Sequence, residues 1–395
     1  MFPRFARGDA CPVRLIPWWV MAVNERARAW VEVDLDALRA NFDVVRARAG
    51  GAGVIAMVKA DSYGVGAERV VAALEPHGPL AYGVATANEG AQVRAFGIER
   101  PIIVFSPLPP GSIDLAAAAR LTATLSDLAG VERWAEAAGR HGSLDAHLEI
   151  DTGMGRAGFD WREVGTWADR LHEALGAGVR LRGVYTHLHS ADAPDATPTM
   201  TQWQRFQDAL AQLPFSREDL LVHVCNSAGV MRWPEFALDA VRPGIYLYGG
   251  DPAPGVGGFE PPRPVVSVHA RVVRIKDAPP GSTVGYGSLY TARGWERWAT
   301  LPLGYGDGWA RSLTGRSEAI IRGQRVPFIG RTSMDMTVVD ISSVPDVVVG
   351  DVATMLGSDG NEAILIEDVA AQAGTISYEI LTGLRPRLPR LERYT

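Results

Sequence analysis

Beyond Trp30 the chain alternates short apolar runs with longer stretches in which apolar residues recur every three or four positions. The runs cover residues 54–58, 81–85, 101–105, 121–125, 146–150, 181–186, 221–225 and 240–242. Each of the first seven is followed by helical spacing, as at Glu68, Val71, Ala72 and Leu74, or at Val131, Trp134, Ala135 and Ala138. Eight strand-helix units in a little more than 200 residues suit a (β/α)8 TIM-like barrel better than an open doubly wound sheet. Residues 251–264 then hold five prolines and three glycines, too many for helix or central strand, and mark a linker. After it come alternating, β-branched runs at 265–275, 299–303, 319–322, 336–340 and 352–356, separated by Gly, Pro and Asp. The expected fold is therefore α/β: a barrel over 30–260 followed by a mostly β domain over 261–395, with 1–29 as a loose N-terminal extension.

Composition narrows the class of protein. In 395 residues, 47% are apolar and 21% charged, and 39 basic against 45 acidic residues leave a net charge of −6. That is the make-up of a soluble globular enzyme, and the absence of a basic tract argues against nucleic acid as a partner. Cys11 and Cys225 are too few for a disulfide framework or a cysteine-built zinc site, which points to a reducing compartment, the cytoplasm. The apolar run 15–23 carries Pro17 and stops at Asn24, under half the length a membrane helix needs. Arg4, Arg7 and Arg14 before it and Ala27-Arg28-Ala29 after it imitate a signal peptide, but the stretch is short and carries Pro17 and two tryptophans, and a second start at Met21 accounts better for residues 1–20.

Chemistry in a β/α barrel gathers where strands end, and the residues just past the runs are informative there. Lys59 closes the first run, where poor solvation lowers an ammonium pKa and makes it a nucleophile fit for a Schiff base; a lysine snorkelling to solvent is the plainer alternative. Tyr63, Ser227 and the amides around Gly244 and Ile245 can converge on one anion, since barrels often bind phosphate after strands seven and eight. A strand-end lysine with a late-strand anion site describes pyridoxal 5′-phosphate. His187 and His189, with His223 as third ligand, offer a rival metal-hydrolase reading, weakened by Arg242 standing where a carboxylate would be wanted.

At this point the chain resembles the alanine racemase family, from about Trp30 to its last residues. The resemblance rests on nine motifs in one order: residues 58–64 (VKADSYG), 151–159 (DTGMGRAGF), 185–187 (YTH), 223–228 (HVCNSA), 241–249 (VRPGIYLYG), 284–287 (VGYG), 303–308 (LGYGDG), 330–335 (GRTSMD) and 375–379 (TISYE). It implies a pyridoxal-phosphate-dependent isomerase interconverting L- and D-alanine and supplying D-alanine to peptidoglycan, with broad-specificity amino-acid racemase as the alternative. Related single-barrel proteins that serve cofactor homeostasis lack the β domain and a counterpart of Tyr286.

Carried over, the resemblance makes Lys59 the Schiff-base lysine and one of two opposed bases, and Tyr286, from the partner subunit of a homodimer, the other. Two bases are a chemical requirement, because a proton leaves one face of the α-carbon and returns to the other. A tyrosine, titrating near 10, is a poor base unless positive charge or hydrogen bonds favour its phenolate; His187 and Arg242 are suited to that role. Arg242 would face the pyridine nitrogen and keep it unprotonated. Tyr63, Asn226, Ser227, Gly244, Ile245 and Tyr378 would hold the phosphate, Arg156 the phenolic oxygen or the substrate, and Met334 with Tyr305 the partner-side pocket. Asp192, Arg311 and Arg331 resemble an outer access corridor. One position departs: where many members carry a lysine modified to a carbamate, which positions the arginine equivalent to Arg156, this chain has Glu149. It supplies the same charge on a shorter stem, unless it is a strand carboxylate paired elsewhere.

Overall fold

The computed structural model describes residues 27–176 and 178–393. Its first strand is β1 (Ala29–Val33), followed by helix α1 (Leu35–Arg48). The eight apolar runs then form β2 (Gly53–Met57), β3 (Ala81–Val84), β4 (Ile102–Val104), β5 (Thr122–Leu125), β6 (Leu144–Asp151), β7 (Val179–Tyr185), β8 (Leu221–His223) and β9 (Ala240–Val241). Neighbours are parallel throughout, and pairing of β5 with β6 and of β9 with β2 closes the barrel. Ile55, Ala81, Ile103 and Ala240 pack together on one face of these strands, apart from the larger cluster beneath the helices.

Between the strands lie α2 (Ala67–Leu74), α3 (Ala87–Ala95), α4 (Ile113–Ala118), α5 (Leu128–His141), α6 (Val164–Leu175), α7 (Thr197–Leu210) and α8 (Ser227–Arg232). The stripe read at Val131, Trp134 and Ala138 is the buried face of α5. That helix starts where the Asp127 carboxylate accepts from Gly130 N at 2.6 Å, a cap worth about 1 kcal/mol. It stops at Gly142, which adopts φ 86°. No helix of any length follows β9; α1 takes the eighth place, packing against α2, α8 and the turn Ile245–Tyr248. Residues 251–264 contain neither helix nor strand.

The second domain is built on a sheet of β10 (Val266–Arg271), β11 (Arg274–Ala278), β12 (Glu296–Leu301), β13 (Glu318–Ile321), β14 (Gln324–Ile329), β15 (Thr337–Asp340), β16 (Val352–Asp359) and β17 (Arg390–Glu392), with helices α9 (Ile366–Ala373) and α10 (Ser377–Gly383). Two readings change here. The run 265–275 is two strands, because at Val272 and Val273 the backbone turns its hydrogen bonds from one neighbour to another, Asp351 O at 2.8 Å and Thr300 O at 3.0 Å. Continuous apolar character hid that switch. And β1 is not barrel: it pairs antiparallel with β10 and parallel with β17. The barrel is thus inserted between the first and second strands of the other domain. The expected extension ends no later than residue 28, and its residues 1–26, with the signal-peptide and Met21 readings, lie outside the described residues. Among the described residues no helix is long and apolar enough to cross a membrane.

Candidate active site

A cavity opens at the carboxyl ends of the barrel strands. From the described residues it gathers Lys59, Tyr63, Glu149, Arg156, His187, Asn226, Ser227, Arg242, Gly244, Ile245 and, from α10 of the second domain, Tyr378. Met57, Phe105 and Tyr185 complete its wall.

On leaving β2 the backbone winds left-handed: Ala60, Asp61, Ser62 and Tyr63 have φ of 52°, 52°, 54° and 56°, before Gly64 at 80°. Such turns cost about 1–2 kcal/mol per non-glycine residue, so the surroundings must hold this one. Ser62 N donates to Val58 O at 3.0 Å and Gly64 N to Ala60 O at 2.9 Å. Ala60 N donates at 2.7 Å to Glu89, whose other carboxylate oxygen accepts from Ala85 N at 2.8 Å. Gly64 cannot be replaced by a larger residue, since a Cβ there would lie 2.5 Å from Leu381 O in α10. The result is that Lys59 and Tyr63 both face the cavity. Burial lowers the Lys59 ammonium pKa, Arg156 and Arg242 lower it further, and Glu89 opposes them.

The anion end is cut close to the backbone. Ser227 Oγ accepts from Gly244 N at 2.8 Å and from Tyr246 N at 3.4 Å. A Cβ on Gly244 would sit 2.1 Å from the Tyr63 hydroxyl, so that hydroxyl lies directly over the peptide. Asn226 caps α8 through Gly229 N at 2.9 Å. Tyr63 stacks on Tyr248 with centroids 4.6 Å apart and stands 6.0 Å from Tyr378. Burial holds the Tyr63 phenol well above its ordinary range and pushes Tyr378 up to about 12, so both stay neutral donors.

Arg242 is 4% exposed and spends its donors on fixed acceptors: Thr186 O at 2.8 Å, Val224 O at 3.0 Å and His223 O at 3.1 Å. Its Nη1 also donates to His223 Nδ1 at 2.7 Å. The rings of Tyr185 and Phe105 flank it, their centroids 4.9 and 5.6 Å from the guanidinium carbon. A guanidinium has no acceptor, so His223 Nδ1 is the acceptor and its Nε2–H points to His147 Nδ1 at 2.9 Å. Burial, then Arg242, drives the His223 pKa well down, and the same causes bring His147 to about 3. At His187 burial first, then Arg242, Arg156 and Lys59, hold the pKa well below its ordinary value, so this ring offers the cavity hydrogen bonds and not charge. Nor can His223 ligate a metal, with both nitrogens engaged. Among the described residues no group of three His, Cys, Asp or Glu is placed to hold one.

Glu149 is buried in β6, and Ser126 Oγ donates to it at 3.1 Å. Burial raises its pKa, while Ser126, Arg156 and Arg242 lower it. It lines the cavity with Arg156 and feels that charge, while its hydrogen bonds go to Ser126 and Tyr185. Asp192 lines the adjoining space with Met154 and His189. Tyr286 and Met334 stand apart, 70% and 51% exposed on loops of the second domain, and neither they nor Tyr305 line the cavity of their own chain. Arg331 backs the Tyr286 turn, its amide 3.2 Å from where a Gly285 Cβ would be, and Arg311 begins a short turn at Arg311–Leu313. Met57, Phe105, Tyr185 and Glu89 were not singled out from sequence. The first three stand at strand ends, which was the available signal; Glu89 sits in the first turn of α3, where an acid is ordinary.

Comparison with known proteins gives one consistent result. The family model "Alanine racemase, N-terminal domain" matches residues 33–252, and "Alanine racemase, C-terminal domain" matches 265–392. The alanine racemase of Symbiobacterium thermophilum is 38% identical over 365 residues, 91% of this chain and 96% of that one. That of Halothermothrix orenii is 34% identical over 364 residues, with coverage of 91% and 96%. Among solved structures, alanine racemase from Streptomyces coelicolor A3(2) superposes with TM-score 0.87 at 34% identity, covering 94% of this chain and 100% of that one. The Bacillus anthracis enzyme with bound L-Ala-P gives 0.86 at 32%, covering 93% and 95%. The Bartonella henselae enzyme with covalently bound pyridoxal phosphate gives 0.84 at 28%, covering 93% and 100%.

Proposed function

Because this chain belongs to the alanine racemase family and is an isomerase of that kind, we propose that it racemises alanine on pyridoxal 5′-phosphate with Lys59 and a partner's Tyr286 as opposed bases. The observation that carries this is the pairing, in one cavity, of a lysine with a depressed pKa and an anion cup too tight for a Cβ. The cavity fits the cofactor: Lys59 would take the aldehyde, Tyr63, Ser227, Gly244, Ile245, Asn226 and Tyr378 the phosphate, and Arg242 the ring nitrogen. When bound, the cofactor supplies a carbonyl that condenses with amines and a ring that draws electrons from the α-carbon.

The protein's own residues supply the rest. Lys59 Nζ, made less basic by burial and two arginines, exchanges a proton at one face of the α-carbon. Arg242, locked by three carbonyls, holds a fixed positive charge that would face the ring nitrogen. Arg156 would hold the phenolic oxygen or the substrate, with the Glu149 charge orienting Arg156. Tyr286 and Met334 are exposed, and neither they nor the half-buried Tyr305 line their own chain's cavity, which supports a homodimer in which they complete the partner's site. We assign the activity to the cytoplasm and to provision of D-alanine for peptidoglycan.

The test is complementation. Lys59→Ala and Tyr286→Phe homodimers are each expected to be inactive, and mixed dimers to recover activity at one site of two. Lys59→Ala should also lose the borohydride-reducible yellow colour. No recovery after verified subunit exchange, or a yellow and active Lys59→Ala, contradicts the reading.

A further inference from the structure

Asp307 is 0% exposed, deep in the loop 304–308 of the second domain. One carboxylate oxygen accepts from Arg28 Nη2 at 2.6 Å and pairs with Arg387 Nε at 3.2 Å; the other accepts from Gly304 N at 3.0 Å. A guanidinium from near the chain's start and one from near its end thus clamp the same buried carboxylate. Both also reach a second loop: Arg28 Nη1 donates to Asp335 O at 3.3 Å and Arg387 Nη2 to Asp335 Oδ1 at 2.7 Å. The two loops are laced together directly, Tyr305 N to Ser333 O at 3.1 Å and Gly306 N to Met334 O at 2.8 Å. They approach so closely that a Cβ on Gly304 would fall 2.2 Å from Ser333 O.

A fully buried carboxylate is tolerated only when paired and hydrogen-bonded, and replacing such a group with apolar packing often costs nothing in stability. Here the charge fixes two loops whose residues Tyr305 and Met334 serve nothing in their own chain's cavity, and whose Met334 side chain is half exposed. We propose that Asp307, through Arg28 and Arg387, is a positioning residue that fixes Tyr305 and Met334 for the partner's site and so sets substrate affinity in trans. The inference rests on the shared-site reading above.

Tag-separated mixed dimers test it. When one chain carries Lys59→Ala, the single working site joins the other chain's barrel to the loops of the Lys59→Ala chain. Asp307→Asn placed in the Lys59→Ala chain should raise KM for alanine about tenfold with kcat within about threefold. Placed in the other chain it should leave KM unchanged within about twofold, because that chain's loops face the dead site. The backbone carbonyl of Asp307, which accepts from Arg385 N at 3.0 Å, is untouched by the substitution. A KM rise in both placements, or only in the second, overturns the proposal, as does none in either. Should Asp307→Asn fail to assemble, Arg387→Gln in the same two placements carries the test with the same expected asymmetry, since it severs Asp307 from Asp335. A Tyr286→Phe control placed both ways separates the two ideas. If it abolishes activity only in the chain with the working barrel, the shared-site reading falls; if only in the Lys59→Ala chain, that reading stands whatever Asp307 does.

Discussion

Arg242 Nη1 donates to His223 Nδ1 at 2.7 Å, and that bond sets the tautomer of the imidazoles behind it. His223 must then offer its Nε2 proton to His147, and neither ring can take a second proton without meeting a buried guanidinium.

Acid should therefore destabilise this fold early. His147 at about 3, His269 at about 4 and the strongly depressed His187 and His223 are neutral when folded, whereas unfolded histidines titrate near 6.5. Their folded pKa values lie below the unfolded ones, so their contribution is complete above about pH 6.5 and is lost as pH falls toward 3. Each histidine adds a slope of about 1.4 kcal/mol per pH unit within that window. Urea midpoints measured from pH 7 to 4.5 should show it, and His269→Gln, away from the cavity, should flatten the slope by about one proton. An unchanged slope in His269→Gln contradicts the account.

Arg242→Lys keeps a positive charge but not a planar fork with donors for three carbonyls and His223. We expect kcat/KM to fall at least about 100-fold with the fold retained, read by steady-state kinetics beside far-UV circular dichroism. Activity within a few-fold of the parent would show that charge alone suffices.

Gly244→Ala should weaken cofactor retention by about tenfold or more, because its Cβ would collide with the Tyr63 hydroxyl at 2.1 Å. Dialysis against buffer followed by absorbance of retained pyridoxal phosphate measures this. Retention equal to the parent means the cup can open.

Much of this was legible. The eight runs, the linker at 251–264 and the strand-end place of Lys59 follow local rules that a single strand or turn satisfies, and the Ser227–Gly244 cup follows from the habit of barrels to bind anions after strands seven and eight. What escaped depends on distant partners. β1 looks like the opening of the barrel because nothing in Ala29–Val33 says that it will pair with Ala270 and Arg390. The neutrality of His187 comes first from its burial and then from three cations brought near it by other strands. Asp307 lay within a quoted motif, but its two arginines are about 280 and 80 positions away in the sequence.

Glu149→Gln keeps the size of the side chain and removes its charge. If the carboxylate orients Arg156, catalysis should fall by about tenfold or more while the cofactor is retained, since charge-assisted hydrogen bonds are roughly twice as strong as neutral ones. Burial raises the Glu149 pKa, so the parent should lose kcat/KM on the acid side as this carboxylate protonates, and Glu149→Gln should lack that limb. Glu149→Lys should regain activity when bicarbonate is supplied. Parental activity in Glu149→Gln sinks the idea.

The insertion of the barrel between β1 and β10 imposes an order of assembly. During synthesis β1 is made before any barrel strand, yet of its two sheet partners β10 follows only after the whole barrel and β17 only after every other described strand of the second domain. Contacts that distant in sequence form slowly. The barrel, whose strands pair largely with near neighbours, can collapse on the ribosome while β1 waits with both edges bare, exposed to another chain's β10 or β17. Subunit exchange of this strand is then the characteristic misassembly to look for when the protein is refolded at high concentration.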